Sequence, residues 1–142
     1  MSNQLQIGIA KIYLKDFSFE SPQSPSIFQK NIRPTFKVDA RIQHRALQNA
    51  LYEVVLEITI EAREGEQVAF IVEVEQAGIF EIGGASEQQR DNILKVFCPE
   101  TLFPYARQAI DQSLVLGGFP PLSLAPVDFA SQFGGSSSRA EQ

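Results

Sequence analysis

Cysteine and histidine are almost missing from this chain of 142 residues, which has one of each, Cys98 and His44. A single cysteine excludes a disulfide within the chain and is typical of a reducing compartment. The two residues also exclude a zinc site made of cysteine and histidine alone. We interpret Cys98 as a small buried thiol and His44, which lies in a polar run, as part of a turn or surface loop. A Cys/His catalytic pair is the disfavoured alternative, and we expect no enzyme activity.

Basic patches and long apolar runs are lacking too. The net charge is −5, and no cluster of basic residues could neutralise nucleic-acid phosphates. Gly83-Gly84 is not followed by the Lys-Ser/Thr of a phosphate loop, so we expect neither a cofactor nor a metal. The first residues lack the basic region of a signal peptide, and no segment has the roughly 20 apolar residues of a membrane span. We therefore expect a cytoplasmic protein that does not insert into membranes.

An uncharged, mostly apolar segment is the most unusual feature that is present. It covers residues 112–127 and contains two glycines and three prolines, Gly117, Gly118, Pro120, Pro121 and Pro126. These residues rule out a continuous helix or a central strand. The apolar side chains must then be packed by the rest of the fold or presented to another molecule.

Alternating apolar and polar residues predict a sheet. The pattern is clearest over residues 52–63 and 67–80, which predicts a hairpin with its turn at Glu64-Gly65-Glu66. Residues 35–42 predict another strand, and residues 5–20 predict one with a bulge near Lys11, where the alternation changes phase.

Helical spacing follows the strands. Ser86 and Gln89 form a capping-box pattern. Pro99 and Pro104 predict a kink or two successive helices, and Gly117 or Gly118 should end the second. The order predicts an α+β fold, a four-stranded antiparallel sheet with helices packed on one face. We assign residues 1–133 to one domain and 134–142 to a flexible Gly/Ser-rich tail.

The face of the sheet away from the helices is predicted to be acidic. Its side chains are Glu53, Glu57, Glu61, Glu73 and Glu75, joined by Asp16 and Glu20 of the first strand. One interpretation is an ordinary solvated face that discourages edge pairing. The other is a docking surface for a basic partner, with Ile71 as an apolar anchor. The alternation alone leaves both open.

Five motifs follow one another along the chain. They are IYLKDFSFESP (12–22), FQK (28–30), EQAGIF (75–80), CPETLFPYAR (98–107) and GFPPLSLAPVDF (118–129). Together they resemble the SecB family of protein-export chaperones over residues 9–129. The resemblance implies a homotetramer assembled as a dimer of dimers. It also implies an ATP-independent holdase that keeps preproteins unfolded and delivers them to the motor SecA.

Specific residues take roles from this resemblance. Asp16, Glu20, Ile71 and Glu73 match positions that contact the basic, zinc-bearing C-terminal tail of SecA, and the zinc belongs to that partner. The uncharged segment matches a loop that borders apolar client grooves. The candidate client-binding residues are Phe119, Leu122 and Leu124, with Phe28, Ile32 and Phe103 as further lining. For each of these side chains, packing within the subunit is the alternative.

Two departures from the family pattern qualify these expectations. Ile32 stands where family members often carry Trp, so one aromatic of the groove is missing. The region after Phe129 is short and puts a second SecA contact in doubt. A SecB-like chaperone of a toxin–antitoxin system and a non-catalytic assembly module are the alternative functions.

Overall fold

Four antiparallel strands followed by helices make up the chain. The computed structural model describes residues 4–134. The strands are β1 (Gln6–Glu20), β2 (Thr35–Ala46), β3 (Leu51–Glu64) and β4 (Gln67–Gly83), with a 3-10 turn at Ser26–Gln29. The helices are α1 (Glu87–Asn92), α2 (Cys98–Leu116) and α3 (Phe129–Gln132), with a π-helical turn at Ile93–Phe97. The strands form one sheet in the order β1-β4-β3-β2, which confirms the predicted α+β fold.

The β3–β4 hairpin follows the predicted alternation closely. Gly65 turns the chain with a φ of +61°, a conformation that glycine adopts without strain. Alternate side chains of β3 are at most 1% exposed: Val54, Leu56, Ile58, Ile60 and Ala62. They point to the side of the sheet on which α2 packs, here called the inner face. The opposite side is the outer face.

β1 departs from regular pairing at two places. Its register against β4 shifts between Ile9 and Lys11, which confirms the bulge predicted near Lys11. A second shift lies between Leu14 and Asp16 and has no counterpart in the sequence-based prediction. Each bulge adds one residue to β1 and changes the side of the sheet that the following side chains face.

β2 extends farther than predicted. The strand continues to Ala46, and His44 lies within it, opposite Val54 of β3. The prediction that His44 belongs to a turn or surface loop is therefore wrong. β2 is an edge strand whose side chains are largely exposed, so a polar run costs little burial there, and β3 supplies the hydrogen-bonding partner.

The helical region begins at the predicted capping box. The Ser86 hydroxyl accepts a hydrogen bond from the Gln89 N–H, and the Gln89 side chain accepts one from the Ser86 N–H. Two helices follow as expected, and the π-helical turn between them ends directly before Cys98 and Pro99, the first two residues of α2. Pro104 lies inside α2. Gly117 caps the C-terminus of α2, as predicted.

The core lies between α2 and the central strands. α2 packs on β4 and β3 and buries Leu102, Ala106 and Ile110 against them. The two edge strands are covered less completely. Apolar side chains on their inner faces are close to half exposed, namely Ile9 and Leu14 on β1 and Phe36 and Val38 on β2. Apolar surface therefore remains open at both edges of the sheet.

The chain after the uncharged segment forms one short helix. Asp128 caps α3 by accepting a hydrogen bond from the Ser131 N–H, and Phe129 is buried. Gly134 is also buried, and its N–H donates to the Phe129 carbonyl. Residues 135–142 of the predicted tail lie outside the described part of the chain, so its flexibility stays a prediction.

Candidate functional site: an acidic sheet face and an apolar groove

The sequence-predicted docking residues lie together on the outer face. In the register of β1 against β4, Asp16 is opposite Glu75, Ser18 is opposite Glu73, and Glu20 is opposite Ile71. This group is called the acidic patch and comprises Asp16, Glu20, Ile71, Glu73 and Glu75. Its members come from two adjacent strands, so the sheet itself fixes their spacing.

The carboxylates of the acidic patch lack neutralising partners within residues 4–134. None of the ion pairs found there involves Asp16, Glu20 or Glu73, and all three side chains are exposed. Glu73 accepts one long hydrogen bond from the Ser18 hydroxyl, with Oγ 3.5 Å from Oε1. Unpaired like charges on one surface give it a negative potential that complements a cationic segment.

Glu53 lies on the same outer face in a different environment. Its carboxylate accepts hydrogen bonds from Tyr13 Oη at 2.5 Å, Lys15 Nζ at 2.9 Å and Arg45 Nε at 3.0 Å. Only 6% of the residue is exposed. The Tyr13 hydrogen bond and the two cations lower the pKa of Glu53 to about 2, against the opposing effect of burial. The expectation that Glu53 adds to an open acidic face is wrong, because its charge is neutralised.

An apolar groove of about 310 Å³ opens on the other side of the molecule. Its lining comes from the 3-10 turn and the segment that follows it, the inner face of the sheet, and the loop after α2. The lining residues are Ile27, Phe28, Lys30, Ile32, Pro34, Phe36, Phe70, Gly118, Phe119, Pro120, Pro121 and Leu122. Four of the six predicted client-binding residues, Phe28, Ile32, Phe119 and Leu122, are therefore brought together. Leu124 and Phe103 lie outside this lining.

Aromatic rings form the floor and rim of the groove. Phe119 is only 8% exposed, with its ring centroid 4.9 Å from Phe70 and 5.1 Å from Phe28. Phe28 and Phe36 are each 47% exposed. Phe119 therefore belongs to the floor, and the two exposed rings stand at the rim.

Glycines and one carboxylate hold the loop in this position. A Cβ on Gly117 would overlap the Phe19 ring, and Gly118 has a φ of +93°. Asp111 Oδ1 accepts hydrogen bonds from the N–H groups of Leu122 at 3.0 Å and Ser123 at 3.1 Å. Asp111 therefore fixes the loop to α2.

Phe103 does not line the groove as predicted, whereas Phe36 and Phe70 line it without having been predicted to. Phe103 is buried, 6.3 Å from the Phe129 ring and beneath the Arg107 guanidinium at 5.3 Å. Phe36 and Phe70 lie on the inner face of the sheet, where the alternation places them, and also line the groove. Both residues lie near strand ends that α2 does not cover, and this position could have identified them as groove residues. The sequence alone did not give this signal, because it depends on where α2 lies.

The residues considered for catalysis or metal binding are not arranged for it. Burial raises the pKa of the Cys98 thiol to about 12, so no thiolate forms near neutral pH. Among residues 4–134, no group of three or more His, Cys, Asp or Glu side chains could hold a metal ion. Over the same residues, no helix is long and apolar enough to cross a membrane.

Comparison with known proteins identifies the family. A family model described as preprotein translocase subunit SecB matches residues 1–140. The chain belongs to the SecB family. Three similar proteins named protein-export protein SecB come from Chromohalobacter salexigens, Pseudomonas syringae pv. tomato and Marinobacter nauticus. The first is 47% identical over 133 residues, which cover 92% of this chain and 81% of the relative. The second is 48% identical and the third 47% identical, each over 127 residues that cover 89% of this chain and 77% of the relative.

A solved SecB-like structure shares the fold. It is the SecB-like chaperone of Mycobacterium tuberculosis in complex with a peptide from an antitoxin. The TM-score is 0.69 at 16% identity, over 85% of this chain and 90% of that chain. The likeness confirms the fold. The export role is better supported than the toxin–antitoxin alternative, because the SecB relatives that are nearly half identical carry the export name.

Proposed function

We propose that this SecB-family chain is an ATP-independent holdase of the cytoplasm, which binds unfolded preproteins in the apolar groove and delivers them to SecA. The observation that carries the proposal is the groove, open to solvent and lined by Phe28, Phe36, Phe70 and Phe119. The relatives named protein-export protein SecB support a role in export, and hence delivery of the bound preprotein to SecA.

Client binding would depend on burial of apolar surface. Burying about 400 Å² of client surface would contribute about 10 kcal/mol at ~25 cal/mol per Å², before the cost of ordering the client is subtracted. This contribution needs no consensus sequence. Pro120 and Pro121 line the groove and have no N–H to donate, so this wall offers a client side-chain contacts without a strand edge.

Exposed apolar side chains elsewhere support a homotetramer. Leu116 at the end of α2 is 80% exposed, and Leu14 on the inner face of β1 is 49% exposed. Both line a second shallow depression between β1 and α2. Contiguous apolar surface on a monomer is typical of a subunit interface. We propose that this surface is covered in a dimer of dimers.

The acidic patch would be the SecA contact. Asp16, Glu20 and Glu73 present unpaired carboxylates around the half-buried Ile71, which suits a basic segment with an apolar side chain. The zinc-bearing C-terminal tail of SecA has this character, and the zinc would remain with that partner. The patch and the groove use different faces of the sheet, so both ligands could be bound at once.

A groove variant tests the holdase function. Phe28→Glu places a charge at the rim, and we expect client binding to weaken about tenfold, since burying a Phe ring contributes about 1.5–3 kcal/mol. The measurement is light scattering of a slow-folding client at graded chaperone concentrations without nucleotide. Gln29→Glu is the control, because it adds the same charge one residue away at an exposed position outside the groove. Equal protection by wild type and Phe28→Glu would contradict the proposed groove.

A further inference from the structure

The second bulge of β1 decides which face carries Asp16. Leu14 is opposite Gln76 and Asp16 is opposite Glu75, so Lys15 is the extra residue with no partner in the register. Lys15 contacts Glu53 on the outer face, and Asp16 lies on that face as well. Two consecutive residues share a face here, which a regular strand does not allow.

The acidic patch exists because of this bulge. Side chains alternate with a period of two, so a shift of one residue moves every later side chain to the other face. Without the extra residue, Asp16 and Glu20 would alternate in phase with Leu14 and lie on the inner face. Phe17 and Phe19 would then face outward.

Two residues of β1, one before the bulge and one in it, contact Glu53. Tyr13 precedes it and donates its hydroxyl to Glu53 Oε2, while Lys15 Nζ lies 3.1 Å from Oε1 and 2.9 Å from Oε2. Glu53 is held from the other side by Arg45 of β2. The neighbouring strand β4 also holds this part of β1, because the Gln76 side chain donates to the Tyr13 carbonyl at 3.1 Å.

We propose that Tyr13, Lys15 and Glu53 are positioning residues that hold the second bulge of β1 and thereby turn Asp16 and Glu20 toward the outer face. The consequence for SecA rests on the proposed docking role of the acidic patch. Packing of Phe17 and Phe19 on the inner face favours the same register. Both rings are only partly buried, so their packing alone does not account for the register, and the Glu53 contacts also stabilise the bulge.

The charge of Lys15 makes the test discriminating. Lys15→Met removes a cation next to the acidic patch, so a purely electrostatic effect would tighten the binding of a basic peptide. We expect the reverse, a loss of about tenfold in affinity for the zinc-loaded C-terminal peptide of SecA, because the carboxylates lose their common orientation. Lys15→Arg should restore binding. Lys11→Met, a matched loss of charge on β1 outside the second bulge, should leave affinity unchanged or slightly higher.

A register measurement on the full-length chain separates this inference from the docking proposal. Cross-strand nuclear Overhauser effects between Ser18 and Glu73 should weaken in Lys15→Met and persist in Lys11→Met. Tyr13→Phe, a milder change that removes one hydroxyl, should weaken them in the same direction. Full-strength signals in both Lys15→Met and Tyr13→Phe would mean that phenylalanine packing alone holds the bulge and would overturn the inference. If the wild type fails to bind the peptide while the signals weaken as expected in the variants, only the docking proposal is overturned.

Discussion

Glu53 and Glu73 carry the same side chain on the same face of the sheet, yet their surroundings give them different roles. Glu53 is nearly buried and bonded to Tyr13, Lys15 and Arg45. Glu73 is exposed, and among the described residues its carboxylate forms no ion pair and is hydrogen-bonded only to the Ser18 hydroxyl. A buried carboxylate with two cations stabilises the fold, whereas an exposed one without a cation can attract a partner.

The low pKa of Glu53 predicts a specific loss of stability in acid. Because the pKa of Glu53 falls from 4.5 to about 2 on folding, its stabilising effect is complete above pH 4.5 and is lost as pH falls toward 2. The size is about 3 kcal/mol for a shift of this order. Urea titrations between pH 2 and 7 should show this slope in the wild type and in the exposed control Glu81→Gln. Glu53→Gln should lack this slope. An unchanged slope in Glu53→Gln would contradict the stabilising role given to the contacts of Glu53 with Tyr13, Lys15 and Arg45.

Alternation could place Glu53 on the outer face but could not predict its neutralisation. Lys15 and Arg45 are distant in sequence and lie on strands that do not pair with each other. Their meeting at Glu53 depends on sheet order and on the second bulge. The same limit applies to Asp111, because its hydrogen bonds depend on where the loop folds back along α2.

Among the elements, the loop from Gly117 to Asp128 is the one whose structural role follows most directly from its sequence. Its prolines and glycines predict a segment without regular structure, and the structure has none between α2 and α3. What supports it is a pair of hydrogen bonds to Asp111 and the fit of Gly117 against the Phe19 ring. The loop is therefore a fixed wall of the groove.

Removal of the Asp111 carboxylate should loosen that wall. Asp111→Ala loses two hydrogen bonds to a charged acceptor, and we expect the free energy of unfolding to fall by about 2 kcal/mol. Asp91→Ala is the control, since its exposed ion pair with Lys95 contributes less than about 1 kcal/mol. Hydrogen exchange at the Leu122 and Ser123 amides should accelerate in Asp111→Ala alone. Unchanged exchange at both amides would contradict the role given to Asp111.

The hairpin, the capping box and the first bulge were predictable because each depends on residues near one another in sequence. The length of β2 was not, because its polar end is a strand only by pairing with β3. The break before Pro99 takes the form of a π-helical turn, for which the spacing offered no signal.

At the scale of the whole molecule, one sheet separates two surfaces of opposite character. The groove lies where loop, turn and inner face meet, and the acidic patch lies on the outer face. This arrangement suits a chaperone that holds a client while it contacts a motor. The family motifs implied both surfaces, and the structure assembles four of the six predicted groove residues and all four predicted docking residues. The roles of these residues and the dimer of dimers stay predictions.

The separation of the two surfaces is tested most directly by isothermal titration of the zinc-loaded SecA peptide into a double variant. Asp16→Asn with Glu73→Gln removes two charges and keeps the side-chain shapes. Glu66→Gln with Glu81→Gln is the control, with the same loss of charge at exposed positions outside the acidic patch. We expect the first variant to bind the peptide at least about tenfold more weakly, since each close charge pair contributes of order 1 kcal/mol or more, and to suppress client aggregation as well as wild type. Unchanged peptide affinity, or joint loss of peptide binding and client protection, would contradict the account.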